Sequence, residues 1–227
     1  MSTKKTQRIG ILVILIVTLV GTVGSFLAMA LSAKNDIDDQ AKFQKLYDKY
    51  EEEKKEYDKK VAAQADELSN QYYDIFKPYA EYVSVFDIDS VKELTTEDLK
   101  VGDGADIDGK TKMSVYYIGW DARANIFDQS IDNNLNKLKS PLAISDGIDN
   151  IGVIEGWKEG IKGMKIGGVR LITIPSDKAY GEEGSKDQDG KETIAANMPL
   201  KFIVMAIESP KEIEAPDTTE LLEAYGN

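Results

Sequence analysis

The sequence predicts an α+β protein in which an uncharged apolar span and a long polar helix precede an antiparallel sheet packed on one short helix. Three observations carry this. Ile9 to Ala33 contains no charged residue. From Asp36 to about Ala80 there is no glycine, and apolar side chains recur at helical spacings of three and four. From about Leu99 to Ser209, short β-prone runs alternate with glycine and proline punctuation, and one helical pattern interrupts them.

Residues 1–8 are a short basic N-terminus. Residues 9–33, IGILVILIVTLVGTVGSFLAMALSA, would extend roughly 37 Å as a helix, enough to cross a hydrocarbon core of about 30 Å. A buried core helix of that length would show a polar face, and this one has none. The competing reading is a secretory signal peptide, since Ala28–Ala33 is rich in small residues, but signal apolar regions are typically about 7–15 residues long. The absence of cysteine closes the lipid-anchored route. The reading is therefore an uncleaved, single-pass cell-membrane anchor. Lys4, Lys5 and Arg8 precede it and Lys34 follows, so the positive-inside rule leaves the N-terminus cytoplasmic and everything after residue 34 extracytoplasmic. Gly21, Gly24, Ser25 and Ala28 have helix-packing spacing, although small residues facing lipid are common.

Residues 34–80 read as a helical stalk. Phe43, Tyr47, Tyr50, Tyr57, Val61, Leu68, Tyr72 and Ile75 form one seam, interrupted where Lys54 and Gln64 occupy it. The seam is rich in tyrosine and poor in leucine, which fits a solvated spacer or a weakly self-associating coiled coil better than a stable dimer. Pro78 marks the helix end, residues 81–98 form a connector, and residues 210–227 form an acidic, mobile tail behind Pro210 and Pro216.

Composition narrows the chemistry. The 227 residues include no cysteine and no histidine, and 40 acids oppose 28 bases for a net charge of −12. Thiolate nucleophiles, iron–sulfur clusters, cysteine zinc sites, Ser-His-Asp triads and histidine-ligated metals are excluded. The charge argues against nucleic acid as a partner, because phosphate binding needs a basic surface. Residues 1–34 carry four bases and no acid, so residues 35–227 carry 24 bases, 40 acids and a net −16.

Within residues 99–209, Met113–Ile118, Val169–Ile174 and Pro199–Ile207 are the strong strands. Val153–Met164 is the helix, with Ile154, Trp157, Ile161 and Met164 on one face.

These residues carry a family resemblance. Tyr116-Tyr117-Ile118-Gly119, Phe127-Asp128-Gln129-Ser130 and Val153-Ile154-Glu155-Gly156-Trp157 come in order, followed by Gly160, Gly163-Met164 and Gly167. Leu171 with Thr173-Ile174-Pro175, Ala179-Tyr180-Gly181, Ile194 and Leu200 with Phe202 complete the series. Order and spacing resemble an FKBP-type peptidyl-prolyl cis–trans isomerase over roughly residues 99–209. The resemblance implies a twisted antiparallel sheet wrapped around one short helix, no cofactor or metal, and proline-containing polypeptides as substrates. It implies an apolar cup with Trp157 as the floor and Tyr117, Phe127, Val153, Ile154, Ile194 and Phe202 as walls. It also implies that Tyr180 offers a hydroxyl and Ile154 a backbone N–H to the substrate, with Asp128 at the rim.

This chemistry suits a chain without histidine. Rotation about a peptide bond has a barrier of about 18–20 kcal/mol, and X–Pro isomers interconvert over tens to hundreds of seconds. Acceleration needs a site that favours the twisted amide over either planar form, with no nucleophile or proton relay.

The chain departs from the family pattern at Leu142, where an aromatic is usual, and at Ser185, where many members have histidine. The loop 184–193 is long and charged, and Ala195-Ala196 replaces a proline pair. These changes border the pocket mouth and bear on substrate preference and rate. Ser185-x-Asp187-x-Asp189-Gly190 also resembles half of a calcium loop, but Ala196 stands where a bidentate Glu is needed, so it reads as a solvated turn. The expected function is isomerisation of X–Pro bonds in exported or envelope proteins. A non-catalytic proline-peptide binder and a structural envelope protein acting through its stalk stand as alternatives.

Overall fold

The computed structural model describes residues 37–226 apart from 133 and 135. The apolar run 9–33 lies outside the described residues, and no described helix is long and apolar enough to cross a membrane. Residues 65–210 form one compact unit; residues 37–64 with 211–226 form the other. Helix α1 (Ile37–Phe76) contributes to both.

In the first unit, β2 (Met113–Asp121) is the central strand. β8 (Leu200–Ile207) pairs with it along one edge from Ser114 to Asp121. The other edge is shared: β4 (Leu142–Ile144) lies beside Met113–Val115 and β3 (Ile126–Gln129) beside Ile118–Trp120. β5 (Val169–Ile174) flanks β8, and β1 (Thr95–Lys100) closes that edge, so the order is β1-β5-β8-β2-β3. Every pairing is antiparallel. A separate hairpin joins β6 (Ser185–Lys186) and β7 (Glu192–Ile194).

Two-residue alternation assigns the faces of the sheet. Val115, Tyr117, Gly119, Phe202, Arg170, Ile172 and Ile174 share the face that carries α2 (Glu155–Ile161). Gly156 and Gly160 let α2 lie against β5: a Cβ at either would collide with Ile174 or Ile172. Two glycines in a seven-residue helix cost helix propensity, and close packing of helix on sheet explains them.

The opposite face is also covered. Tyr116, Ile118, Trp120, Val169, Ile203, Met205 and Ile207 are buried in one cluster with Phe76, against which Tyr72, Tyr73, Tyr79, Val83 and Phe86 pack. The end of the expected stalk and part of the expected connector therefore belong to the sheet's core. Ser69 accepts a hydrogen bond from the Leu138 amide at 2.8 Å, and the Trp120 indole N–H donates to the Ser84 carbonyl at 3.1 Å. The physical reason lies in β2 and β8, whose side chains are apolar on both alternations, so both faces need cover.

Three boundaries differ from expectation. β1 starts inside the stretch read as a connector; its sequence TTEDLK has no apolar alternation, and backbone pairing with β5 holds it. The helix expected over 153–164 is shorter, because Ile154 is its N-cap and the backbone turns extended at Lys162 before Gly163 at φ +77°. The tail expected to be mobile forms α3 (Thr219–Gly226), whose Leu221 is buried with Phe43 and Tyr50 of α1. Leu221 and Ala224 supply the apolar side chains that the tyrosine-rich seam lacks.

Candidate active site

The sheet face that carries α2 continues past the helix N-terminus into an aromatic cup. β2 contributes Tyr117, β3 Phe127 and Asp128, α2 Trp157 and β8 Phe202. The rings contact one another edge to face. Tyr117 and Trp157 have centroids 5.9 Å apart at 81°, Trp157 and Phe202 6.3 Å at 69°, and Phe127 and Phe202 5.5 Å at 77°. Trp157 and Phe202 are buried, whereas Tyr117, Phe127, Asp128 and Tyr180 are half-buried, so the aromatic floor lies deeper than the polar rim. Such ring pairs add about 0.5–1.5 kcal/mol each beyond area burial.

Register explains the convergence. Gly119 lies opposite Asp128 on β3 and Phe202 on β8. A Cβ built at Gly119 would approach Phe202 Cε1 to 2.6 Å and Phe127 Cζ to 2.8 Å, so only glycine leaves both rings their positions. In the sequence Gly119 follows the run Met113–Ile118 as its boundary, whereas β2 continues through it to Asp121, and nothing in the pattern assigned it to the cup.

The polar rim is connected. The Tyr117 hydroxyl donates to Asp128 Oδ2 at 2.5 Å, and its amide donates to Ser130 Oγ at 2.9 Å. Burial, then the Asp128 charge and hydrogen bond, push the Tyr117 phenol well above its ordinary value. Burial first and the Asp128 charge second also raise Tyr180. Both phenols therefore remain protonated donors at any ordinary pH. Ile154 is the α2 N-cap; its carbonyl accepts from the Trp157 and Lys158 amides, and its own N–H has no backbone acceptor among the described residues. The Trp157 indole N–H is buried with no partner among the described residues, at a cost of about 1–3 kcal/mol.

The remaining expected residues make no aromatic or side-chain polar contact with this group. Leu142 lies on β4 opposite Val115, on the same sheet face as Tyr117 and two residues along β2 from it. Val153 is half-buried just before α2, and Ile194 is buried on β7. The loop read as a solvated turn is the β6–β7 hairpin, in which Asp187 accepts from the Asp189 and Lys191 amides of its own turn.

Arg170 holds the far end of α2 and was missed as a lone base in a β run. It is buried on β5, pairs bidentately with Asp98 (Nε–Oδ1 2.6 Å, Nη2–Oδ2 3.0 Å) and donates to the Gly160, Lys162 and Gly163 carbonyls. It thereby caps the C-terminus of α2 and ties that helix to β1 and β5.

The chain is similar to known proteins over the unit that holds this site. The family described as FKBP-type peptidyl-prolyl cis-trans isomerase matches residues 104–207. An FK506-binding protein of Neisseria meningitidis serogroup B is 40% identical over 92 residues, which is 40% of this chain and 78% of that protein. The chain belongs to the FKBP-type peptidyl-prolyl cis–trans isomerase family. A probable FK506-binding protein of Corynebacterium glutamicum is 40% identical over 95 residues, 41% of this chain and 73% of the relative. The crystal structure of AtFKBP13 is 29% identical and covers 52% of this chain and 93% of its own, with a TM-score of 0.43.

The isomerase reaction needs no covalent step. Rotation breaks amide resonance, so the twisted form is less polar than the planar form and loses less on leaving water. An apolar cup thus favours it, while fixed donors orient the carbonyl. Lowering the barrier by about 5 kcal/mol would accelerate exchange by about 10³–10⁴-fold.

Proposed function

We propose that the cup formed by Tyr117, Phe127, Trp157 and Phe202 is where the X–Pro bond is twisted, and that Asp128 and Tyr180 are its catalytic polar groups. The proline ring stacks on Trp157 between Phe127 and Phe202. Tyr180 donates to the substrate carbonyl and the Ile154 amide offers a second donor. Asp128 orients Tyr117, and burial first with the Asp128 charge second raises the Tyr180 phenol. Leu142, Val153 and Ile194 complete the apolar wall. The observation that carries this reading is the unbroken edge-to-face series Tyr117–Trp157–Phe202–Phe127, joined to Asp128 by the Tyr117 hydroxyl.

A protease-free assay on an X–Pro peptide tests the site. The full chain accelerates isomerisation, and Tyr180→Phe and Asp128→Ala each lower kcat/KM without lowering Tm. Wild-type rates from both variants would remove them from the mechanism. The names of the relatives extend the reading to FK506, which should compete with the peptide for the cup; unchanged turnover at saturating FK506 would exclude that ligand.

The finer setting rests on the sequence. Residues 9–33 anchor the chain in the cell membrane with residues 1–8 in the cytoplasm, and the isomerase works outside on exported or envelope proteins. Its support is the uncharged 25-residue run with bases concentrated before it. Protease added to intact cells should cleave the isomerase unit; protection until lysis would overturn this topology.

A further inference from the structure

The second unit contains a contact for which isomerisation has no use. Along residues 41–64 of α1, the side chains withdrawn from solvent are Phe43, Leu46, Tyr47, Tyr50, Lys54, Tyr57, Val61 and Gln64, spaced by threes and fours, while their neighbours are exposed. The C-terminal segment shows a matching pattern: Ile213, Pro216, Thr218, Leu221 and Ala224 are withdrawn between exposed residues. Contacts fix the direction. Gln64 Nε2 donates to the Lys211 carbonyl at 2.7 Å, and Leu221 is buried with Phe43 and Tyr50, against which Leu46, Tyr47 and Ala224 pack. The segment therefore runs back along α1, from Gln64 towards Phe43. Asp217 starts α3 by accepting from the Thr219 amide at 2.8 Å and hydroxyl at 2.6 Å.

We infer that residues 211–226 are an intramolecular strap that occupies the apolar seam of α1 and prevents two copies of the chain from pairing through it. An amphipathic helix with an open seam is the element that pairs with a second copy. A tethered segment competes at an effective concentration of order mM, far above the µM range of separate chains, so a weak contact within one chain displaces an equally weak one between chains. The tyrosine-rich seam read as weakly self-associating is thereby reserved for the chain's own C-terminus. The inference is independent of the isomerase site.

Adjacent leucines provide the test. Leu221 is 3% exposed and Leu222 60% exposed, so Leu221→Asp detaches the strap and Leu222→Asp does not. Light scattering on the full chain in detergent should give one chain of 25.1 kDa for wild type and Leu222→Asp. For Leu221→Asp the mass should rise towards twofold with concentration, with unchanged peptide turnover showing that residues 65–210 remain folded. Adding Tyr50→Ala to Leu221→Asp should return the mass to one chain. The same mass for wild type and Leu221→Asp, or an equal rise for Leu222→Asp, overturns the proposal. Because the chain has no cysteine, a Tyr50→Cys, Leu221→Cys pair gives a direct second readout. Oxidation should link the two within one chain; disulfide-linked dimers as the main product would show that the segment serves a neighbour instead.

Discussion

Tyr117 holds the Asp128 carboxylate through a 2.5 Å hydrogen bond, and the same carboxylate discourages ionisation of Tyr180. Both phenols titrate above their ordinary 10.0, so neither donor is lost as pH rises through the neutral and mildly alkaline range. The kcat/KM profile should accordingly show no phenol-ionisation fall below pH 10. A descending limb near pH 8 that disappears in Tyr180→Phe would contradict this. Tyr180→Phe removes one donor and should lower kcat/KM by roughly tenfold, the equivalent of about 1.4 kcal/mol. At Gly119 the effect is steric. Gly119→Ala forces Phe127 or Phe202 from its place, so KM should rise and stability should fall by about 1–3 kcal/mol, read by peptide kinetics and urea unfolding. Trp157, Phe202 and Asp128 were legible because their residue types recur in a known order. Gly119 and Ser130 were not, because their roles depend on which strand lies opposite.

At the scale of elements, α2 is held by what it leaves unsatisfied. Its last carbonyls are taken by the Arg170 guanidinium, which is also fixed to Asp98 on β1. Arg170→Lys keeps the charge but loses the fork geometry, leaving the buried Gly160 carbonyl without its donor; a loss of about 1–3 kcal/mol is expected in urea unfolding. The β2–β3 turn depends similarly on Asp121, which accepts from the Arg123 and Asn125 amides at 2.8 and 2.9 Å. Burial alone would raise its pKa, but bonds from Asn125 and Arg123 outweigh that and hold it below the ordinary 3.8. Its folded pKa is thus depressed relative to the unfolded chain. The contribution is present above about pH 4 and is lost as pH falls through the folded value. Asp121→Asn should therefore be less stable than wild type at pH 7, with the gap closing in acid. A gap that persists at pH 2 would show that the carboxylate charge is not the cause. The strands were legible from composition, whereas β1 was not, because backbone pairing and one ion pair hold it.

At the scale of the whole molecule, the isomerase unit extends beyond the residues that identify it. The family match begins at residue 104, yet Phe76, Tyr72 and Tyr79 cover the back of the sheet. A chain beginning at Ala65 should fold cooperatively. One beginning at Leu99 uncovers Tyr116, Ile118, Trp120, Ile203 and Met205 and should melt at lower temperature or aggregate; equal Tm values for the two would refute the role of α1 in the core. The expected domain began at about Leu99 because strand and glycine punctuation begins there, and a helical period shows only that a helix has an apolar side, not what that side meets. By itself the sequence determined the α+β class, the order of the strong strands, the family and the apolar run 9–33, since each is written in local period or residue order. The tertiary structure decided the partners: α1 against the sheet, α3 against α1, Arg170 against the end of α2, and Gly119 beneath two phenyl rings. Those pairings join residues far apart in the chain, and which apolar surfaces meet depends on geometry that local patterning does not encode.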